Sequence, residues 1–302
     1  MAPVATVAAV IVTYNPDEDG LAALLDALRP QISRGVIVDN GSANSPAISR
    51  LAGQYGVDLI ECGENIGIAA AQNKGIVHVL NQGATHVLLS DQDSVPAPNM
   101  VRILLETFTL FADDDRPIAA VGPLPVDARG SRDEGLVYSF TKWGPRRDQI
   151  PGPHDVVEVP FVLASGCLIP RSALFDLGPM NEALFIDHVD LAWCMGAVEK
   201  GYRVLVNGGA QLAHSLGEKK IVLPGGRQVH AQSVARNYYM VRNTLFLERA
   251  TFMPLAWKMG YLAYLTRYLG FYTLLGFREP RRGGALARGV RDGLTGRGGR
   301  RP

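Results

Sequence analysis

Five short apolar runs, separated by stretches of helical periodicity, restrict this 302-residue chain more than any other feature. The runs are Val7–Thr13, 36–38, 57–62, 86–90 and 118–122, and each gives way to polar or turn-forming residues. Between them, Leu21, Leu24, Leu25 and Leu28 mark one apolar helical stripe, and residues 48–55 and 98–112 read as further helices. Strands alternating with helices predict an α/β fold built on a doubly wound, mostly parallel sheet with flanking helices. In such a sheet ligands bind beyond the carboxyl ends of the strands. Tyr14, Asn15, Asp39, Asn40 and Asp91 all follow a strand end directly, so they are expected to line one rim. The first run leads into Tyr14-Asn15-Pro16-Asp17 without a Gly-x-Gly-x-x-Gly, and no Gly-x-x-x-x-Gly-Lys-Ser/Thr occurs anywhere. Dinucleotide and P-loop nucleotide binding are thereby excluded.

The fourth run ends in Asp91-Gln92-Asp93. Two aspartates flanking one residue in an extended turn can face one hard cation, and Mg2+ or Mn2+ held by few carboxylates keeps sites open for the oxygens of a diphosphate. Helix capping ahead of Pro98 is the competing explanation of the same residues. The stretch from Asn65 through Gly67 and Asn73 to Gly75 is rich in Gly and Ala, which suits either ligand approach or close helix packing. Further on, Asp187 and Asp190 lie among aromatics just before a helix expected at 191–200. A carboxylate there can serve as a general base or cap the helix. His214 follows a strand expected at 203–206, where it either faces a metal or is structural. Residues 124–155, dense in Pro, Gly and charge, predict an insertion or mobile loop.

Mean hydropathy is +0.06 with 47% apolar residues, the balance of a globular protein. Cys62, Cys167 and Cys194 are far apart in apolar contexts, which predicts buried thiols in a reducing compartment. The N-terminus carries neither the basic start nor the cleavage site of a signal peptide, so a cytoplasmic location is expected. Charge is divided unevenly: from Arg278 onward eight arginines oppose two acids, leaving the tail at +6 and the remainder at −5. Such a tail meets a polyanion, either nucleic acid or an anionic membrane, or serves as a disordered solubilising extension. Residues 252–277 are largely apolar, with Lys258 and Arg267 as their only charges. Nine residues of separation at about 100° each put these two charges on opposite faces of an unbroken helix. Each would cost about 2.5–3.5 kcal/mol inside a bilayer. Two shorter surface helices, broken near Gly260 or Gly270, are expected instead, lying on the membrane or serving as a lid or oligomer contact. The domain reading is therefore a catalytic unit over 1–250, an apolar helical segment over 251–280 and a basic, disordered tail over 281–302.

Taken in order, the motifs resemble one family. They are Val-Thr-Tyr-Asn (12–15), Asp-Asn-Gly-Ser (39–42), Asn-x-Gly-x-x-x-Ala-x-Asn-x-Gly (65–75), Asp-Gln-Asp (91–93) and Ser-Gly-Cys-Leu-Ile (165–169). Phe-Ile-Asp-x-Val-Asp (185–190), Trp-Cys (193–194), His-Ser-Leu-Gly (214–217) and Arg-Asn-Tyr-Tyr-Met-Val-Arg-Asn (236–243) follow. Over residues 7–247 the chain resembles the inverting, GT-A type glycosyltransferases of family 2, in particular bacterial rhamnosyltransferases of cell-surface polysaccharide synthesis. The resemblance implies a GT-A fold, a nucleoside-diphosphate sugar donor such as dTDP-L-rhamnose, and a glycan or lipid-linked acceptor. It implies that Thr13, Tyr14, Asn15, Asp39, Asn40, Asn65, Gly67, Asn73, Asp91 and Arg242 hold the donor. Asp91 and Asp93, with His214, would hold Mg2+ or Mn2+, and Asp190 would be the catalytic base. It also favours an anionic membrane over nucleic acid as the partner of the tail, at the inner face of the cell membrane, and admits a homo-oligomer. Two positions depart from the family pattern: the acid commonly found two residues after the base is Ala192, and the arginine four residues beyond is Gly196. A sugar nucleotidyltransferase, or a nucleotide-sugar-binding protein with reduced or no catalysis, are the alternatives.

Overall fold

The computed structural model describes residues 5–127, 137–139, 146–214, 220–222, 228–230, 232–276 and 280–301. In chain order the elements are β1 (Val7–Thr13), α1 (Glu18–Leu28), β2 (Arg34–Asp39), α2 (Ser45–Tyr55), β3 (Asp58–Glu61), α3 (Ile68–Asn81), β4 (His86–Asp91), β5 (Ser94–Pro96) and α4 (Met100–Leu110). There follow β6 (Ile118–Asp127), β7 (Val137–Ser139), β8 (Arg146–Gln149), β9 (Val156–Glu158), β10 (Leu168–Pro170), α5 (Arg171–Leu177), α6 (Val189–Glu199) and β11 (Arg203–His214). After the short hairpin β12 (Lys220–Val222) and β13 (Gln228–His230), the chain ends in α7 (Val234–Leu247), α8 (Leu255–Gly276) and α9 (Pro280–Thr295).

The sheet has nine strands in the order β3-β2-β1-β4-β10-β6-β11-β5, with β9 also on β11. β1 through β4 pair parallel, as do β6 and β11, whereas β10, β5 and β9 run against their neighbours. The expected mostly parallel α/β sheet is thus present. β1 is buried along nearly its whole length because strands flank it on both sides and helices cover both faces. Strand order reverses between β1 and β4, so the crevice past Thr13, Asp39 and Asp91 is the natural ligand site.

Local chemistry explains the helices. Asp17 caps α1 by accepting the Gly20 N–H at 2.9 Å, Glu18 and Asp19 complement the helix dipole, and the Leu21, Leu24, Leu25 and Leu28 stripe is buried. A left-handed Gly56 ends α2. α3 lies flush on the sheet because Gly75 has no side chain; a Cβ there would stand 2.3 Å from Val10 Cγ1. One core layer packs Leu24, Ile37, Leu104 and Leu205, and the other packs Val10, Val38, Ile76 and Trp193. Cys167 and Cys194 are buried free thiols, while Cys62 is only half-buried.

Three expectations are corrected. Part of the 124–155 stretch is ordered strand: β6 runs through to Asp127 and β7 pairs with β8, although residues 128–136 and 140–145 lie outside the described residues. The apolar segment is one helix of 22 residues rather than two. Gly260 and Gly270 remain helical because Trp257, Tyr261, Leu265, Tyr268 and Tyr272 form one buried stripe that runs past both. Burying four aromatics outweighs the roughly 1 kcal/mol that each interior glycine costs. The arginine-rich tail, expected to be disordered, is the helix α9. Its glycines misled the sequence reading because they are contact residues: at Gly289 a Cβ would meet the Tyr238 carbonyl oxygen at 2.8 Å, and at Gly293 it would meet Leu245 at 2.8 Å. Four residues apart, they form the face that lets α7 approach. Ala285, Leu286 and Asp292 are buried on the same helix. No helix among the described residues is long and apolar enough to cross a membrane.

Candidate active site

The rim begins at the end of β1. Thr13 is buried and its hydroxyl donates to Asp39 Oδ1 at 3.2 Å across the β1–β2 pair. The Asp39 carboxylate also accepts the Ser42 N–H and hydroxyl, which fixes the turn after β2. Gly41 in that turn has φ 83°, and a Cβ would strike the Glu64 backbone at 2.5 Å. Asn40 reaches the same segment: its Oδ1 accepts the Ile66 N–H at 2.8 Å and its Nδ2 donates to Asn65 Oδ1. Asn65 Oδ1 in turn accepts the Gly67 N–H at 3.0 Å. Asn15 is left-handed at φ 48°, and its side chain accepts the Ala43 N–H. Tyr14 is 49% exposed. Thr13, Tyr14, Asn15, Asp39, Asn40, Asn65 and Gly67 are therefore brought together in one hydrogen-bonded margin.

Asp91 closes β4 opposite Val12, and Asp93 is exposed in the turn to β5. β5 then pairs antiparallel with β11, which sets Ser94, the neighbour of Asp93, opposite His214. The topology thus draws His214 to the Asp-Gln-Asp turn from more than a hundred residues away. Beyond its backbone, His214 lies outside the described residues, and no three His, Cys, Asp or Glu side chains converge among those described.

Asp190 sits in the first turn of α6. Burial pushes its carboxyl up to about 6, against the N–H groups of Leu191 and Ala164, which favour the charged form; the charge of Asp187 raises it further. The Leu191 N–H donates to Asp190 Oδ1 at 2.8 Å. A carboxylate with this proton affinity can take a proton from a hydroxyl near neutral pH. A small cavity lined by Gln72, Val162, Cys167, Trp193 and Cys194 adjoins it. Asp187, the rival carboxylate, is 5% exposed and accepts from Arg236 Nε at 3.0 Å. His188 between them bonds Thr244 Oγ1 at 3.1 Å, and burial lowers it to about 4.

Two residues expected to hold the donor have their polar groups engaged within the fold. Asn73 is nearly buried and bonded to the segment before Phe185: its Nδ2 donates to Met180 O and Glu182 Oε1, and its Oδ1 accepts the Met180 N–H, all at 2.9 Å. It brackets α3 to the loop before Leu184. Arg242 is fully buried. Its Nη2 donates to the carbonyls of Ala183 and Leu184 at 2.9 and 2.7 Å, Nη1 donates to Gly299 O, and Nε donates to Asn243 Oδ1 at 2.9 Å. Its guanidinium is occupied within the fold. The two departures from the family pattern differ: Ala192 is packed in the core, whereas nothing lies within 4 Å of a Cβ built at Gly196. The sequence reading overlooked Gln92 and Arg236. Gln92 lies between two acids that attract attention, and Arg236 becomes informative only through its spacing to Asn243, two helical turns on.

The sheet order, the rim and the carboxylate at the head of α6 define a glycosyltransferase of the GT-A type. The sequence profile described as "Glycosyl transferase family 2" matches residues 8–177, and the chain belongs to that family. It is 33% identical over 253 residues to "dTDP-rhamnosyl transferase RfbF" of Shigella flexneri, covering 82% of this chain and 81% of that one. Its fold is similar to that of S. aureus TarS 1-349 in complex with UDP-GlcNAc, with a TM-score of 0.56 at 15% identity, covering 96% of this chain and 81% of that one. Against the longer TarS structure the TM-score is 0.54 at 15% identity over 90% of this chain, which spans 45% of that one.

Proposed function

We propose that this glycosyltransferase moves L-rhamnose from dTDP-L-rhamnose to a glycan or lipid-linked acceptor with inversion, and that Asp190 is the base. The observation that carries the reading is a carboxylate at the head of α6 that lines a small cavity, in a chain whose other motifs come together in one rim at the strand ends. The donor is inferred from the likeness to the S. flexneri protein. Asp190 takes the proton of the acceptor hydroxyl as that oxygen forms its bond to the anomeric carbon. The bond from that carbon to the diphosphate oxygen breaks, and its electron pair leaves with the diphosphate. Tyr14, exposed at the end of β1, would meet the nucleobase, and Asp39 and Asn40 at the end of β2 would stand beside the ribose. Asp91 and Asp93 would offer two hard oxygen donors to Mg2+ or Mn2+ where β4 ends, and the pairing of β5 with β11 brings the backbone of His214, the third expected ligand, opposite Ser94 beside that turn. When bound, such a cation neutralises charge on the diphosphate.

A station on an anionic membrane surface fits the exposed Leu255, Met259 and Leu262 of α8 together with the exposed Arg281, Arg288 and Arg291 of α9. Incubation with dTDP-L-rhamnose and Mn2+ tests the reading. Thermal stabilisation with slow release of rhamnose is expected. Pyrophosphate release from dTTP and rhamnose 1-phosphate would make it a nucleotidyltransferase, and binding without turnover would make it a binding protein.

A further inference from the structure

The backbone that delivers Asp190 is strained. Phe185 has φ 64° and ψ −64°, Asp187 has φ 65° and His188 has φ 62°, and none is glycine. The Ile186 N–H closes a three-residue turn onto Leu184 O at 2.7 Å. γ-Turns of this hand are rare, and left-handed residues in series persist only where their surroundings over-determine them. Here the surroundings are one face of α7. Asn243 Nδ2 faces three carbonyl oxygens of the turn: Leu184 at 2.9 Å, Ile186 at 2.6 Å and Asp187 at 2.9 Å. Tyr239 stacks on Phe185 with centroids 4.8 Å apart and planes 9° apart. Arg236 holds the Asp187 carboxylate. Spaced three, four and seven residues apart, these side chains share one helical stripe.

The opposite side of the turn touches the donor rim. The Ile68 N–H donates to Phe185 O at 2.7 Å, and a Cβ at Gly67 would lie 2.6 Å from the Phe185 ring. One strained segment therefore joins the donor loop to the carboxylate, and α7 holds it from behind. The electrostatics around Asp190 point the same way. Cys167 and Cys194 are thiols that burial pushes up, Cys194 to about 12; His188 is lowered by burial; and burial raises Tyr261. All four are neutral near pH 7, whereas Asp187, whose charge raises the Asp190 carboxyl, is paired with Arg236.

We propose that Arg236 and Asn243 are positioning residues for the base. Asn243 fixes the turn that aims the Asp190 carboxylate, and Arg236 offsets the charge of Asp187 beside it. The inference rests on the reading of Asp190 as the base.

The test is hydrolysis of dTDP-L-rhamnose, with water in place of the acceptor hydroxyl, followed against pH for the full chain and its variants, with dTDP affinity and melting temperature measured in parallel. Arg236→Met should lower kcat about 10- to 100-fold with dTDP affinity within about twofold. Its acid limb should move to higher pH, because removing the Arg236 cation leaves the Asp187 charge less offset, and that charge disfavours the ionised form of Asp190. Arg236→Lys should restore the limb while recovering only part of the rate. Arg236 is 41% exposed, so both variants are expected to fold. Asn243→Ala should lower kcat without moving the limb, and loss of its melting transition would leave the Arg236 pair to decide. A rate and acid limb unchanged in Arg236→Met, with Asp190→Asn inactive, would overturn the positioning role alone. A wild-type chain that does not hydrolyse the donor, or an active Asp190→Asn, would overturn the functional reading and this inference with it.

Discussion

Tyr14 and Gln92 hold each other through two hydrogen bonds across the crevice between β1 and β4. The Tyr14 N–H donates to Gln92 Oε1 at 2.7 Å, and Gln92 Nε2 returns to Tyr14 O at 3.3 Å. The middle residue of Asp-Gln-Asp is thus a tether that sets the spacing between the exposed tyrosine ring and the two aspartates. Gln92→Ala should weaken dTDP binding several-fold. It should cost no more than about 1–2 kcal/mol of stability, since exposed hydrogen bonds contribute about 0.5–1.5 kcal/mol each. Isothermal titration beside a denaturant melt checks both.

The aspartates themselves make a separate prediction. Asp91→Ala and Asp93→Ala should each abolish the gain in dTDP affinity that Mn2+ confers, with melting temperature of the free protein nearly unchanged. Titration with dTDP in Mn2+ and in EDTA measures this, and an undiminished Mn2+ effect in both variants would remove the metal assignment.

Burial of Asp190 has a consequence for stability. Its folded value of about 6 lies above the ordinary value of 3.8, so the native state binds more protons than the unfolded one between these limits. Stability from this group is present below about pH 4 and is lost as pH rises through about 6, where it then stays lost. Asp190→Asn should accordingly raise stability by about 1–3 kcal/mol at pH 7.5, with the advantage shrinking toward pH 4. Urea melts at the two pH values decide it; a variant less stable at pH 7.5 contradicts the burial argument.

The C-terminal helix is testable by overpacking. Gly289→Val would drive a side chain into the Tyr238 carbonyl and Val241, and should destabilise the protein by about 1–3 kcal/mol. Gly283, which has nothing within 4 Å of a built Cβ, should accept alanine without loss. Equal tolerance at both positions in thermal melts would mean that α9 is not packed on α7.

The sheet and the rim were legible because their signals are local. An apolar run that ends in Thr13, Asp39 or Asp91 states both a buried strand and the polar group that emerges from it. That Asp190 stands at the start of a helix was legible in the run that follows it. What escaped depends on partners distant in sequence. Arg242 reads as a ligand-binding arginine until its carbonyl partners Ala183, Leu184 and Gly299 are known. Asn73 reads as part of a donor motif until Met180 closes on it. The glycines of α9 argue against a helix by propensity, and only the approach of α7 shows them to be the reason the helix can dock.

The central claim is that one carboxylate, Asp190 rather than Asp187, takes the proton. Asp190→Asn and Asp187→Asn should be compared in rhamnose release from dTDP-L-rhamnose, with dTDP affinity measured on the same samples. Asp190→Asn should lose about 10²- to 10⁴-fold in rate at unchanged affinity, while Asp187→Asn should lose less. A near-normal rate in Asp190→Asn together with an inactive Asp187→Asn would contradict the account.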